Sequence, residues 1–143
     1  MLRWRRRLVI ALAALLATGL LLAAAGGVYL LTLAGVGDAE TRVEAILAEH
    51  GSHASGLPPP AHLAAAVVST EDENFYANPF FNVAAGAGRA AVAALGTSED
   101  PGGSTIAQQL AKTLYPHGGG VGGTFEEIGL GVKLSLAYSH EQV

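Results

Sequence analysis

The chain has 143 residues, no cysteine, eight Lys and Arg against twelve Asp and Glu, and 50% hydrophobic residues. Half of the basic side chains lie in the first seven residues, so everything after residue 37 carries a net charge of about −8, and no basic stripe exists to follow a phosphate backbone; nucleic acid is excluded as a partner. The absence of cysteine excludes disulfides and thiolate metal sites and leaves only His and carboxylate ligands.

Residues 1–7, Met-Leu-Arg-Trp-Arg-Arg-Arg, form a basic segment, and no charge follows until Asp38. The uncharged run of residues 8–37 exceeds the roughly 20 residues a helix needs to cross a hydrocarbon core. Trp4 and Tyr29 stand near its two ends, as interfacial aromatics do. The run predicts a single-pass anchor with the arginines in the cytoplasm and the remainder on the outer face of the cell membrane. A cleavable signal peptide is the rival, with Ala23-Ala24-Ala25-Gly26 as small residues for cleavage. The apolar continuation through Val28 to Leu33 favours the anchor, because cleavable apolar regions usually stop after about 7–15 residues.

Residues 38–50 read as an amphipathic helix, with Val43, Ile46 and Leu47 on one face and Glu40, Glu44 and Glu49 on the other. Residues 51–60 end in Pro58-Pro59-Pro60 and read as a linker, so 38–60 forms a stalk and a domain begins at 61. Pro60 can open the first turn of a helix running from His62 to about Thr70, with Leu63, Val67 and the alanines as its buried stripe. Glu71-Asp72-Glu73 closes that helix, against the macrodipole. Helix stability alone does not select such an end.

A second helix is expected over residues 80–95 and a polar turn over 96–103. Ser104 or Thr105 can cap a third helix that runs to about Tyr115. Residues 117–123 read as a glycine-dense loop, and a fourth helix begins at about Thr124 and carries Ile128, Leu130, Leu134 and Leu136. No strand-period alternation of useful length is present, so the fold class is all-α. The glycines of 118–123 lack the Gly-Lys-Ser/Thr ending of a phosphate-binding loop, and Gly86-Ala87-Gly88 has no strand before it; neither is a nucleotide site.

Two constellations can carry chemistry. The first is Ser69-Thr70-Glu71-Asp72-Glu73-Asn74-Phe75-Tyr76, where a carboxylate among carboxylates and near Phe75 suits general-base work; the plain alternative is a solvated acidic helix end. The second is Gly102-Gly103-Ser104-Thr105-Ile106-Ala107-Gln108-Gln109-Leu110-Ala111-Lys112. Its helix opening leaves N–H groups free for an anionic or polyhydroxyl ligand. Ser104, Gln108 and Lys112 fall on one face at four-residue spacing, with Gln109 one position round; the plain alternative is a capped surface helix.

Together these motifs resemble the peptidoglycan glycosyltransferases, the transglycosylase domain of class A penicillin-binding proteins and of monofunctional transglycosylases, over about residues 57–143. The resemblance implies a lysozyme-like α-helical domain that polymerises lipid II onto a growing glycan strand at the outer membrane face, among other cell-wall synthesis proteins. It implies that Glu71 is the general base, that Asp72 and Phe75 support it, and that Ser104, Gln108, Gln109 and Lys112 line the donor site. Glu127 matches the glutamate of the family's Arg-Lys-x-x-Glu motif, near the pyrophosphate, and counts with Glu71 as catalytic.

The chain departs from the family pattern. Gly123 and Thr124 stand where that motif has Arg and Lys, and Asn78 and Phe80 stand where a His and a Gly are expected. No cation other than His117 lies between Lys112 and Lys133. No cofactor is implied with certainty; a divalent cation at the pyrophosphate could compensate, although no ligand cluster marks one. The family continues beyond a segment like Tyr138–Val143, so residues 61–143 read as the N-terminal part of the domain. A non-catalytic member that binds lipid II or a cell-wall partner is the alternative function.

Overall fold

The computed structural model describes residues 2–54, 56–76 and 104–143. The helix expected over 80–95, the turn over 96–103 and the substitutions at Asn78 and Phe80 lie outside the described residues. Among the described residues there is no strand, and five helices follow one another: α1 (Leu2–Thr32), α2 (Ala39–Glu49), α3 (Ala61–Glu71), α4 (Ile106–Leu114) and α5 (Gly120–Ala137). The chain divides into two units, Met1–Leu33 and Ala34–Val143.

The first unit is α1. Within Trp4–Thr32 an 18-residue window reaches a mean hydropathy of 2.6, and none of that window is buried within the protein. At 1.5 Å per residue Trp4–Thr32 spans about 40 Å, enough to cross a hydrocarbon core of about 30 Å. The helix ends at Thr32, where the hydroxyl donates to the carbonyl of Tyr29 at 2.7 Å. Residues 33–37, expected as part of the spanning run, are not helical.

The second unit is built on α4 and α5. Ala107, Ala111 and Leu114 of α4 pack with Leu130, Val132 and Leu134 of α5, all of them buried. Small side chains let the two helices approach closely. A Cβ at Gly131 would lie 2.8 Å from Gln108 Cγ and 3.0 Å from Gln108 Cα, so glycine is needed there. The fourth helix begins at Gly120, four residues before the expected start, so the glycine-dense loop is shorter than its composition suggested. Gly122 meets nothing within 4 Å, and the cost of glycine in this first turn falls on an end held from outside by packing.

A non-helical strap, Ala34–Asp38, is fastened to this core by three elements. Lys133 Nζ donates to the Ala34 carbonyl at 2.8 Å, and Tyr138 Oη donates to the Val36 carbonyl at 2.8 Å. Tyr115 Oη donates to Asp38 Oδ1 at 3.0 Å, while Arg42 Nε holds Asp38 Oδ2 at 2.8 Å. Arg42 also lies over the Tyr115 ring, 4.6 Å from its centroid, and donates to the Leu114 carbonyl at 3.2 Å. A cation there satisfies an orphan carbonyl at the C-terminus of α4 and complements its dipole. These contacts hold the Asp38 carboxyl below its usual range, chiefly through Arg42 and then Tyr115. Burial, and then Asp38, push the Tyr115 phenol up to about 12.

Helix α2 closes with a left-handed glycine, Gly51, at φ 66°. Ser52 N donates to the Leu47 carbonyl at 2.8 Å and Gly51 N to that of Ala48 at 3.0 Å, the two bonds of a Schellman motif. Helix α3 starts one residue after Pro60, which occupies the N-cap rather than the first turn. Its expected buried stripe is corrected: Leu63 and Val67 are exposed, and no residue of α3 is buried. They line instead an open groove of about 570 Å³ together with Pro58, Pro59, Phe75 and Ile106.

Candidate active site

The two motifs meet where α3 ends and α4 begins. Thr105 caps α4: its side chain accepts from Gln108 N at 3.3 Å, and its own N–H donates to Gln108 Oε1 at 3.3 Å. This reciprocal capping box uses two of the helix's orphan N–H groups. The next, Ile106 N, donates to Asp72 Oδ2 at 3.2 Å. Asp72 is the residue that ends α3, so a carboxylate badly placed for one helix dipole is well placed for the next. The unfavourable acidic end of α3 thus has a structural account.

Glu71 is exposed, and its Oε2 accepts a hydrogen bond from Gln109 Nε2 at 2.9 Å across 38 residues of sequence. The amide orients the carboxylate without placing a second charge beside it. Phe75 turns back under this corner: its N–H donates to the Asp72 carbonyl at 2.9 Å, and its side chain is only 6% exposed. The ring meets Tyr76 and His140 edge-on, each at 5.1 Å between centroids. Tyr76 belongs to the acidic constellation read from sequence, whereas His140 was given no place beside it. His140 lies 65 positions beyond Phe75, and no local pattern links the two.

The α4 side chains divide differently from the expected single row. Gln108 is 1% exposed, engaged in the cap and packed on Gly131, whereas Gln109 and Lys112 are exposed. The outward face therefore carries Gln109 and Lys112, three residues apart, and Ser104 is half-buried just ahead of the cap. Gln108 supports this face from inside.

Glu127 lies on the buried face of α5 with Gly123, Leu130 and Leu134. Its Oε2 is 3.7 Å from His117 Nε2, and the other ring nitrogen, Nδ1, is 2.9 Å from the Tyr115 carbonyl. Gly123 and Thr124 give this site no positive charge. Thr124 donates back to the Gly120 carbonyl at 3.3 Å, and a Cβ at Gly123 would collide with the Gly118 carbonyl. Among the described residues no three His, Asp or Glu side chains converge.

The arrangement offers an oriented, solvent-facing carboxylate, an adjacent amide and lysine on one helix face, and a separate buried carboxylate paired with an imidazole. A family model described as Transglycosylase matches residues 41–143. The chain is 34% identical over 105 residues to penicillin-binding protein 2a of Streptococcus pneumoniae serotype 2 (strain D39 / NCTC 7466), an alignment covering 73% of this chain and 14% of that protein. It is 33% identical over 126 residues to penicillin-binding protein 1A of Mycobacterium tuberculosis (strain ATCC 25618 / H37Rv), covering 75% of this chain and 15% of that protein. The chain thus spans about a seventh of the length of these curated relatives. No solved structure matches. Because the family match takes in well over half of the sequence and both motifs, the chain belongs to the transglycosylase family of peptidoglycan glycosyltransferases.

Proposed function

We propose that this chain is a membrane-anchored glycosyltransferase that extends glycan strands by β-1,4 linkage from lipid II. Helix α1 is the anchor, with the arginines cytoplasmic and residues 34–143 at the outer face. A substrate that is itself a lipid reaches such a site by lateral diffusion in the same membrane. The observation that carries the reading is the hydrogen bond from Gln109 to Glu71, which joins the two motifs into one site.

Glu71 takes the proton of the acceptor sugar's 4-hydroxyl as that oxygen attacks the donor's anomeric carbon. The configuration inverts, and the lipid pyrophosphate leaves with the electron pair of the broken bond. Glu71 keeps Oε1 for the incoming hydroxyl while Gln109 holds Oε2. Asp72 fixes α4 against α3, and Phe75 walls the corner. Lys112 stands on the same face as Gln109 as the cation for the departing anion, with Ser104 ahead of it. Glu127 belongs to the pyrophosphate side.

Polymerisation of fluorescent lipid II by the chain in membranes tests this. Glu71→Gln should lower the rate by about 10² or more, the usual contribution of a general base. Unchanged polymerisation by the variant removes Glu71 from that role. A second reading, a protein that binds lipid II or a cell-wall partner without turnover, is favoured by the neutral residues at 123 and 124. A pyrophosphate carries about two charges, and one lysine is thin compensation in a site of low dielectric. Lipid II binding with no polymerisation by the unmutated chain selects it.

A further inference from the structure

Position 123 is occupied by other atoms of the protein. A Cβ built there would collide with the Gly118 carbonyl and stand 3.5 Å from His117 Cδ2. The loop leading into α5 thus folds the Gly118 carbonyl into the room where a side chain at 123 would begin, with the His117 ring at ordinary contact distance beside it. The same imidazole faces Glu127 at 3.7 Å, with side-chain exposures of 14% for His117 and 9% for Glu127.

The ring's orientation follows from its other contact. The Tyr115 carbonyl, 2.9 Å from Nδ1, can only accept, so Nδ1 carries a proton. In a neutral ring of that tautomer Nε2 would present a lone pair to the carboxylate, so the approach is attractive only with a further proton on Nε2 or between the pair.

The geometry points to His117 as the positioning residue for Glu127, a cation delivered from the loop beside the glycine at 123. It neutralises and aims the Glu127 carboxylate, so the site can accept an anionic group beside it. This second consequence rests on the reading of Glu127 as part of a pyrophosphate site.

Two measurements on the full chain in detergent micelles separate the claims. In thermal melts, His117→Gln and Glu127→Gln should each lower the midpoint, and the double variant should be no less stable than the weaker single one, because coupled partners are not additive. In calorimetric titration with farnesyl diphosphate, His117→Gln should weaken binding about tenfold or more, and His117→Lys should recover most of it, as expected for a buried charge partner. Additive melting shifts overturn the pairing. Unchanged diphosphate binding by a folded His117→Gln variant overturns the positioning role. If the unmutated chain does not bind farnesyl diphosphate, the pyrophosphate reading of the site fails, and the melts alone decide the pairing.

Discussion

Gly131→Ala tests how tightly α5 sets the position of α4. The added methyl would lie 2.8 Å from Gln108 Cγ, 3.0 Å from Gln108 Cα and 3.1 Å from Gln108 N, and two of these neighbours are backbone. Ordinary carbon contacts lie near 3.5–4.0 Å, so α4 must move by roughly half an ångström or more at its first turn. Overpacking of this kind costs about 1–3 kcal/mol. Replacing glycine by alanine inside a helix returns about 1 kcal/mol in propensity. Gly122→Ala isolates that second term, since nothing lies within 4 Å of a Cβ there. The two variants should therefore differ by about 1–3 kcal/mol, with Gly131→Ala the less stable. At roughly 4–8 °C per kcal/mol for a domain of this size, the difference in melting midpoint is readily measured by circular dichroism. The displaced first turn also carries Ile106 N and Gln109, the groups that hold Asp72 and Glu71. Polymerisation by Gly131→Ala should then fall by more than its stability accounts for, because misplacing a catalytic group by about 1 Å can cost 10²-fold. A Gly131→Ala chain as stable as Gly122→Ala refutes the reasoning, since the close approach would then exert no force.

Two further outcomes follow from the strap. Tyr138→Phe removes the hydrogen bond to the Val36 carbonyl and should lower stability by about 0.5–1.5 kcal/mol, with faster hydrogen exchange at the Ala39 amide, which bonds to that same carbonyl; unchanged exchange means the strap is held without it. The pH dependence has two flanks. Because the folded Asp38 carboxyl lies below its ordinary 3.8, its contribution is complete above that pH and is lost as pH falls through the lower folded value. The Tyr115 phenol is raised from 10.0 to about 12, so its contribution is complete below pH 10 and is lost as pH rises toward 12. Asp38→Asn should remove the acid component and leave part of the alkaline one, which burial maintains; melting curves across pH that do not distinguish the variant from the parent chain rule this out.

Local signals located most elements and few of their burial patterns. The helix cap at Thr105, the end of α2 before Gly51 and the break at the prolines were readable because each depends on residues within one turn. Gln108 and Gln109 were not separable, because a helix face is buried only relative to a neighbour, and the neighbour is α5, more than ten residues on. Leu63 and Val67 failed for the same reason: an apolar stripe states what a helix can bury, and α3 buries none of it. The early start of α5 at Gly120 was hidden because glycine-rich sequence reads as loop, and only packing makes it helical. The three acids at the end of α3 were legible as an anomaly, and the partner of Asp72 among them lay 34 residues away at Ile106 N. The strap was not legible at all. A run of small and apolar residues after a long apolar helix gives no sign of which carbonyls a distant Lys133 and Tyr138 will take.

Helix α5 is intrinsically weak, with glycine at 122, 123, 129 and 131, each about 1 kcal/mol less favourable than alanine in a helix interior. Two of those positions have a steric reason: Gly131 admits Gln108, and Gly123 admits the Gly118 carbonyl. Each admits an element that carries part of the site, the first turn of α4 in one case and the His117 loop in the other. The same helix supplies Lys133 to the strap, and Tyr138, at its C-cap, holds Val36. An element of such low propensity is helical because three neighbours hold it, and each neighbour is placed because the helix is narrow. Substitutions that strengthen the helix by filling Gly123 or Gly131 therefore act against the site, while those at Gly122 are free to strengthen it. In this domain two glycines of α5 are the positions where the first turn of α4 and the His117 loop come close against it.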